Sequence, residues 1–146
     1  MELVGNPKMC YGCGTDNPVG LRLQLSWGNG ECRARLHVRP ELTGWLDYMH
    51  GGVLAAALDE MMGKIVWKNG LPAMTGRLTV RYLQAVPVEA TLDLRGRIVK
   101  TGARIIRTTA EARLPDGAVV ADAEALYIRV NPGENAKLAA DEPVPA

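Results

Sequence analysis

His50-Gly51-Gly52-Val53-Leu54-Ala55-Ala56-Ala57-Leu58-Asp59-Glu60-Met61-Met62-Gly63 is the stretch around which this 146-residue chain is organised. Leu, Ala and Met are strong helix formers and fill it from Val53 to Met62; the apolar run continues through Ile65, Val66 and Trp67 until Asn69-Gly70 and Pro72 stop it. A helix that is apolar on nearly every side belongs in a core. At about 17 residues, interrupted by Asp59, Glu60 and Lys64, it is a poor membrane span.

Spacing separates the polar residues of this helix. Glu60 and Lys64 are four apart with the acid first, the favourable order for an exposed ion pair, so they are expected on a solvated edge. Asp59 has no such partner. Its neighbours three and four positions away are Ala55, Ala56, Met62 and Gly63, a small apolar surface from which a carboxylate emerges at a desolvation cost. At the other end, Gly51 and Gly52 leave the first-turn N–H groups uncovered, beside the positive end of the helix dipole, where a developing oxyanion is stabilised. Nine residues put His50 and Asp59 about 13 Å apart along the axis, too far to serve one reacting group. If both belong to one site, Asp59 faces the helix N-terminus of a second copy across a two-fold axis, which predicts a dimer.

Working outward, Leu21, Leu23, Leu25 and Trp27 alternate as a strand, and Asn29-Gly30 turns it into a second strand from Glu31 to Val38. Residues 41–49 have no clear period and form a loop that brings Trp45 and Tyr48 near the helix start, either against a ligand or pinning the loop to the core. After the helix, strands are expected over Thr75–Leu83, Thr91–Val99, Arg104–Leu114 and Ala118–Val130, joined closely enough for an antiparallel meander. Ala121, Ala123 and Ala125 share one face of the last, as expected where a sheet passes close to a helix. The fold class is α+β: one long helix wrapped by a curved antiparallel sheet of about six strands, in the order β-β-α-β-β-β-β. A single helix leaves sheet edges uncovered, which again favours pairing with another subunit. Residues 1–130 read as one domain and residues 131–146 as a disordered tail.

Net charge is +1 with scattered Lys and Arg, so no nucleic-acid partner is expected. Without a basic leader or a membrane-length apolar run, the chain reads as cytoplasmic and without membrane partners. Cys10, Cys13, Cys32 and His37 superficially offer four zinc ligands, but an odd separation on a strand points Cys32 and His37 to opposite faces; no metal or cofactor is expected, and the cysteines read as reduced structural thiols.

In this order the motifs resemble the hotdog-fold thioesterases of the phenylacetate-pathway (PaaI-like) type, which hydrolyse acyl-coenzyme A thioesters. The match runs from about Cys10 to Val130: Cys10-Tyr-Gly-Cys13-Gly14 with Asn17-Pro18 and Gly20-Leu21, then His50-Gly51-Gly52 with an acid nine residues beyond the histidine, then the Thr75–Leu83 strand. The resemblance implies an acyl-CoA substrate and a homodimer or dimer of dimers with intersubunit sites. It implies that the Gly51 amide polarises the thioester carbonyl and that Asp59 of the opposing subunit activates water or attacks the carbonyl. His50 would orient the loop or substrate, Gly52 would contact the substrate, and Thr75 would position the water or Asp59. Some relatives carry Asn or Gln about six residues before the histidine as a second carbonyl contact; here Gly44 stands there, leaving Gly52 or a water for that role. Two other readings share the fold: a hydratase, for which Asp47 and His50 are the only close Asp–His pair, and a non-catalytic acyl-CoA-binding sensor. Arg77, Arg81 and Arg104 are candidates for CoA phosphate contacts or plain exposed strand residues.

Overall fold

The computed structural model describes residues 7–130. Strand β1 (Ser26–Gly28) and strand β2 (Glu31–His37) form a hairpin, helix α1 (Gly51–Lys68) follows, and β3 (Ala73–Tyr82), β4 (Thr91–Thr101), β5 (Ile105–Arg113) and β6 (Val119–Arg129) complete the fold. The strands form one six-stranded antiparallel sheet in the order β1-β2-β4-β5-β6-β3, with α1 packed on its inner face. Class and element order are those expected from the sequence. The tail expected over 131–146 lies outside the described residues.

Asn29 and Gly30 have φ of 52° and 73°, the left-handed pair that lets a two-residue turn follow the twist of its strands. β1 is shorter than the alternation suggested. Leu21 and Leu23 do point inward at 4% exposure each. However, Arg22 has φ +54°, and the amides of Leu21 and Leu23 bond to the carbonyls of Tyr11 and Gly12, so this stretch pairs with the N-terminal loop until Ser26. The meander holds only for β4-β5-β6. β3 pairs with β6, not with β4, so residues 83–90 carry the chain across the sheet to the place beside β2.

The core lies between α1 and the sheet. Leu58, Met61, Met62 and Val66 from the helix are fully buried, as are Leu92 of β4, Ile106 of β5 and Ala121 of β6. Close approach is secured by small residues: a Cβ on Gly96 of β4 would lie 2.7 Å from the Met61 carbonyl, and the Ala121, Ala123 and Ala125 stripe is buried as its parity required.

One expectation fails on this helix. Lys64 is buried at 6% exposure, and Glu60, also largely enclosed, is covered by the N-terminal loop, with Cys10 Sγ 3.5 Å from Oε1. The pair is therefore not a solvated edge, because residues 10–14 fold over that side of α1. Among the described residues no helix is long and apolar enough to cross a membrane.

Candidate active site

The helix begins where a histidine cap sets it. His50 is extended (φ −64°, ψ 127°), and its Nδ1 accepts the Gly52 amide at 2.9 Å, satisfying one first-turn donor. Gly52 is thus engaged with His50, whereas Gly51 occupies the first helical position, whose N–H no intrahelical carbonyl can reach. Gly51 and Gly52 are exposed. The Tyr82 hydroxyl, from the end of β3, donates to the Gly51 carbonyl at 2.6 Å and fastens the first turn from outside. A pocket of about 220 Å³ opens beside this turn, lined among others by Met49, Leu54, Tyr82, Leu83 and Val86. Larger concavities lie on the opposite face of the sheet, one of about 730 Å³ among Arg81, Arg95, Arg97 and Arg113, where no candidate catalytic group stands. The open helix end beside this mostly apolar pocket is chemically suited to an apolar ligand that carries a polarisable carbonyl oxygen.

Gly44 stands where some relatives carry an amide side chain, and packing explains the glycine. A Cβ there would lie 2.6 Å from the His50 Cα, so no side chain fits against the cap. Trp45 is 75% exposed, so its ring is not buried in the core, while Tyr48 bridges to Pro87 through its backbone.

Asp59 lies two turns farther along α1, half-buried, and its carboxylate is held by hydroxyls from two strands. Thr75 Oγ1 donates to Oδ1 at 2.9 Å, with Oδ2 at 3.3 Å. The Tyr127 hydroxyl contacts the same Oδ1 and the Asp59 main-chain carbonyl, the latter at 2.8 Å. A break in register between Thr75 and Arg77, at Gly76, bulges β3 and aims Thr75 back over the helix. Burial first, and the hydrogen-bonded Asp59 carboxylate next, hold the Tyr127 phenol well above its ordinary pKa, so it remains a neutral donor. Oδ1 is thereby fixed by two donors, leaving Oδ2 as the less engaged oxygen.

The structure brings Asp59 and Thr75 together, and His50, Gly51 and Gly52 together, but keeps the two groups apart, one at the N-terminus of α1 and the other at its middle. Tyr127 and Tyr82 were missed in the sequence. Tyr127 had left a signal: it continues the inward parity of Ala121, Ala123 and Ala125, placing one polar tip on an otherwise apolar stripe. Of the four residues weighed as zinc ligands, His37 stands apart, exposed and paired with Glu89 at 2.9 Å, while Cys32 is fully buried.

Comparison with known proteins agrees with this fold. A crystallised thioesterase superfamily protein superimposes with a TM-score of 0.78 at 27% identity, over 83% of this chain; the match spans 60% of that protein's length. A hypothetical thioesterase from Streptococcus pneumoniae, crystallised with coenzyme A, matches at 20% identity and TM-score 0.71 over 75% of this chain and 89% of its own. Two variant structures of that protein replace with alanine an aspartate and a threonine sixteen residues apart. The E. coli PaaI protein of the phenylacetic acid degradation operon matches at 19% identity and TM-score 0.71, over 76% of this chain and 81% of that one. The sequence model of the thioesterase superfamily fits residues 46–121. On that match and this fold, the chain belongs to the thioesterase superfamily.

Proposed function

We propose that the protein is an acyl-CoA thioesterase whose active site forms between two subunits, with Gly51 of one and Asp59 of the other facing the same thioester. The observation that carries this reading is the Asp59 carboxylate, clamped on Oδ1 by Thr75 and Tyr127 and presented from a small apolar helix face. The spacing of sixteen between Asp59 and Thr75 equals that of the aspartate and threonine replaced in the pneumococcal protein, which supports a shared pair.

The chemistry follows from the geometry. Charge grows on the thioester oxygen in the tetrahedral transition state, and the Gly51 amide, at the positive end of α1, is fixed where it can receive it; one such donor contributes about 2.7 to 4 kcal/mol. Oδ2 of Asp59 takes a proton from water as that water attacks; the tetrahedral intermediate then breaks its C–S bond, and the carboxyl returns the proton so that coenzyme A leaves as the thiol. Alternatively Oδ2 attacks the carbonyl, the C–S bond breaks as the thiolate takes a proton from water, and a further water hydrolyses the mixed anhydride to the free acid and Asp59. Within one chain the eight residues from Gly51 to Asp59 span about 12 Å, so a second copy must supply the partner group.

The edge strand favours that assembly. β3 ends the sheet, and Met74 and Tyr82 on it are 65% and 52% exposed, an apolar unpaired edge that a second copy of the strand would cover. Thiol release from short, medium, long and aromatic acyl-CoAs, measured for the wild type and Asp59→Asn, tests the proposal. Turnover that falls by about 10²–10⁴-fold in the variant is expected, as for loss of a positioned base. Tight binding of an acyl-CoA with no turnover would favour the sensor reading instead.

A further inference from the structure

One cluster of chemistry-bearing side chains takes no part in that site. Cys10 and Cys13 from the N-terminal loop, and Glu60 from α1, each place one ligand-type atom so that all three lie within 4.8 Å of one another, partly shielded from solvent. Glu60 follows Asp59, but successive helix positions diverge by about 100°, so its carboxyl leaves α1 on a different side and enters the loop. The loop is moulded on it: a Cβ at Gly12 would lie 2.3 Å from the Glu60 carboxyl carbon, and one at Gly14 would lie 2.4 Å from the Lys8 carbonyl. The Gly14 amide closes the turn on the Cys10 carbonyl at 2.8 Å.

We propose that Cys10, Cys13 and Glu60 bind a zinc-type divalent cation that clamps the N-terminal loop to helix α1. Three observations carry it. Two cysteines separated by two residues, in a turn closed by the Gly14 amide on the Cys10 carbonyl, supply paired thiolates in the spacing that tetrahedral zinc sites use. Zn–S of about 2.3 Å and Zn–O of about 2.1 Å at the tetrahedral angle place sulfur and oxygen about 3.6 Å apart. Cys10 Sγ stands 3.5 and 3.7 Å from the two Glu60 carboxylate oxygens. Finally, two thiolates, one carboxylate and a divalent cation sum to −1, and the buried Lys64 ammonium, within electrostatic reach of all three ligands, returns the cluster to neutrality. The second Glu60 oxygen or a water completes the coordination. Binding displaces the thiol protons to solvent, so the site fills more readily as pH rises. This ligand set differs from the one weighed in the sequence, because Glu60, fifty residues from Cys10, replaces Cys32 and His37.

Elemental analysis of the full-length wild type, purified reduced and without chelator, should find about one zinc per chain, and Cys10→Ser or Cys13→Ser should lose it. Replacement by Co²⁺ should produce a sulfur-to-cobalt charge-transfer band in the near ultraviolet, and Glu60→Gln should shift it while weakening retention. A chelator should lower the melting temperature of wild type but not of Cys13→Ser. Wild type that is metal-free and gives no charge-transfer band with added Co²⁺ overturns the proposal, whatever the variants do. A freshly purified chain two hydrogens lighter, with Cys10 and Cys13 joined by a disulfide, also overturns it and makes the pair a redox couple.

Discussion

Tyr127 and Asp59, 68 residues apart, meet twice: the phenol reaches both the carboxylate Oδ1 and, at 2.8 Å, the main-chain carbonyl of the same residue. The last strand thereby grips the helix at the one carboxylate that its own neighbours cannot pair.

Tyr127→Phe keeps the ring and removes the hydroxyl. Asp59 then loses one of two donors on Oδ1, and kcat is expected to fall roughly tenfold with KM little changed, while stability drops by about 1 kcal/mol for the lost hydrogen bond. Steady-state kinetics and urea unfolding check both. An unchanged kcat would remove Tyr127 from the positioning of Asp59.

The same residue gives a pH dependence. Its folded pKa is raised by burial and by the facing Asp59 carboxylate, with Glu60 adding to the effect, above the ordinary 10.0. As pH rises through that value the unfolded chain loses the phenol proton and the folded chain retains it, so stability falls. Wild type is expected to lose stability above about pH 10 more steeply than Tyr127→Phe. Parallel slopes would contradict this.

Thr75 donates to both Asp59 oxygens from a bulged strand. Thr75→Val, which preserves shape, should lower kcat by about tenfold, and Thr75→Ser should restore most of it. Equal loss in both variants would assign Thr75 to packing rather than to its hydroxyl.

Gly51→Pro deletes the proposed oxyanion donor without breaking the helix. Proline is tolerated at the first helical position, His50 already has the extended backbone that a following proline requires, and the nearest neighbour of an added Cβ is the Tyr82 ring at an ordinary 3.5 Å. Circular dichroism should be unchanged while kcat falls about 10²–10³-fold. A folded variant with normal turnover would exclude the Gly51 amide.

The helix, its Gly51–Gly52 start and the lack of a partner for Asp59 on its own helix were legible because each rests on residues within one or two turns of one another. So was the hairpin at Asn29-Gly30, whose turn chemistry is local. The placement of β3 beside β6 was not, since a register of Leu78 against Ala125 depends on which edge remains open after the meander closes. Glu60 and Lys64 misled for a related reason: the four-residue rule presumes water outside the helix, and here a loop about fifty positions upstream covers Glu60 while Lys64 is buried. Tyr127 and Tyr82 act through contacts 68 and 31 positions distant, beyond what spacing can show.

The most direct test is subunit exchange between two inactive proteins. Asp59→Asn chains keep Gly51, and Gly51→Pro chains keep Asp59, so a mixed dimer rebuilds one intact site of its two. Mixing them under conditions where mass spectrometry demonstrates heterodimers should restore thiol release from the preferred acyl-CoA, toward half the wild-type rate per mixed dimer. Proven heterodimers that remain as inactive as their parents would contradict a site shared between Gly51 of one subunit and Asp59 of the other.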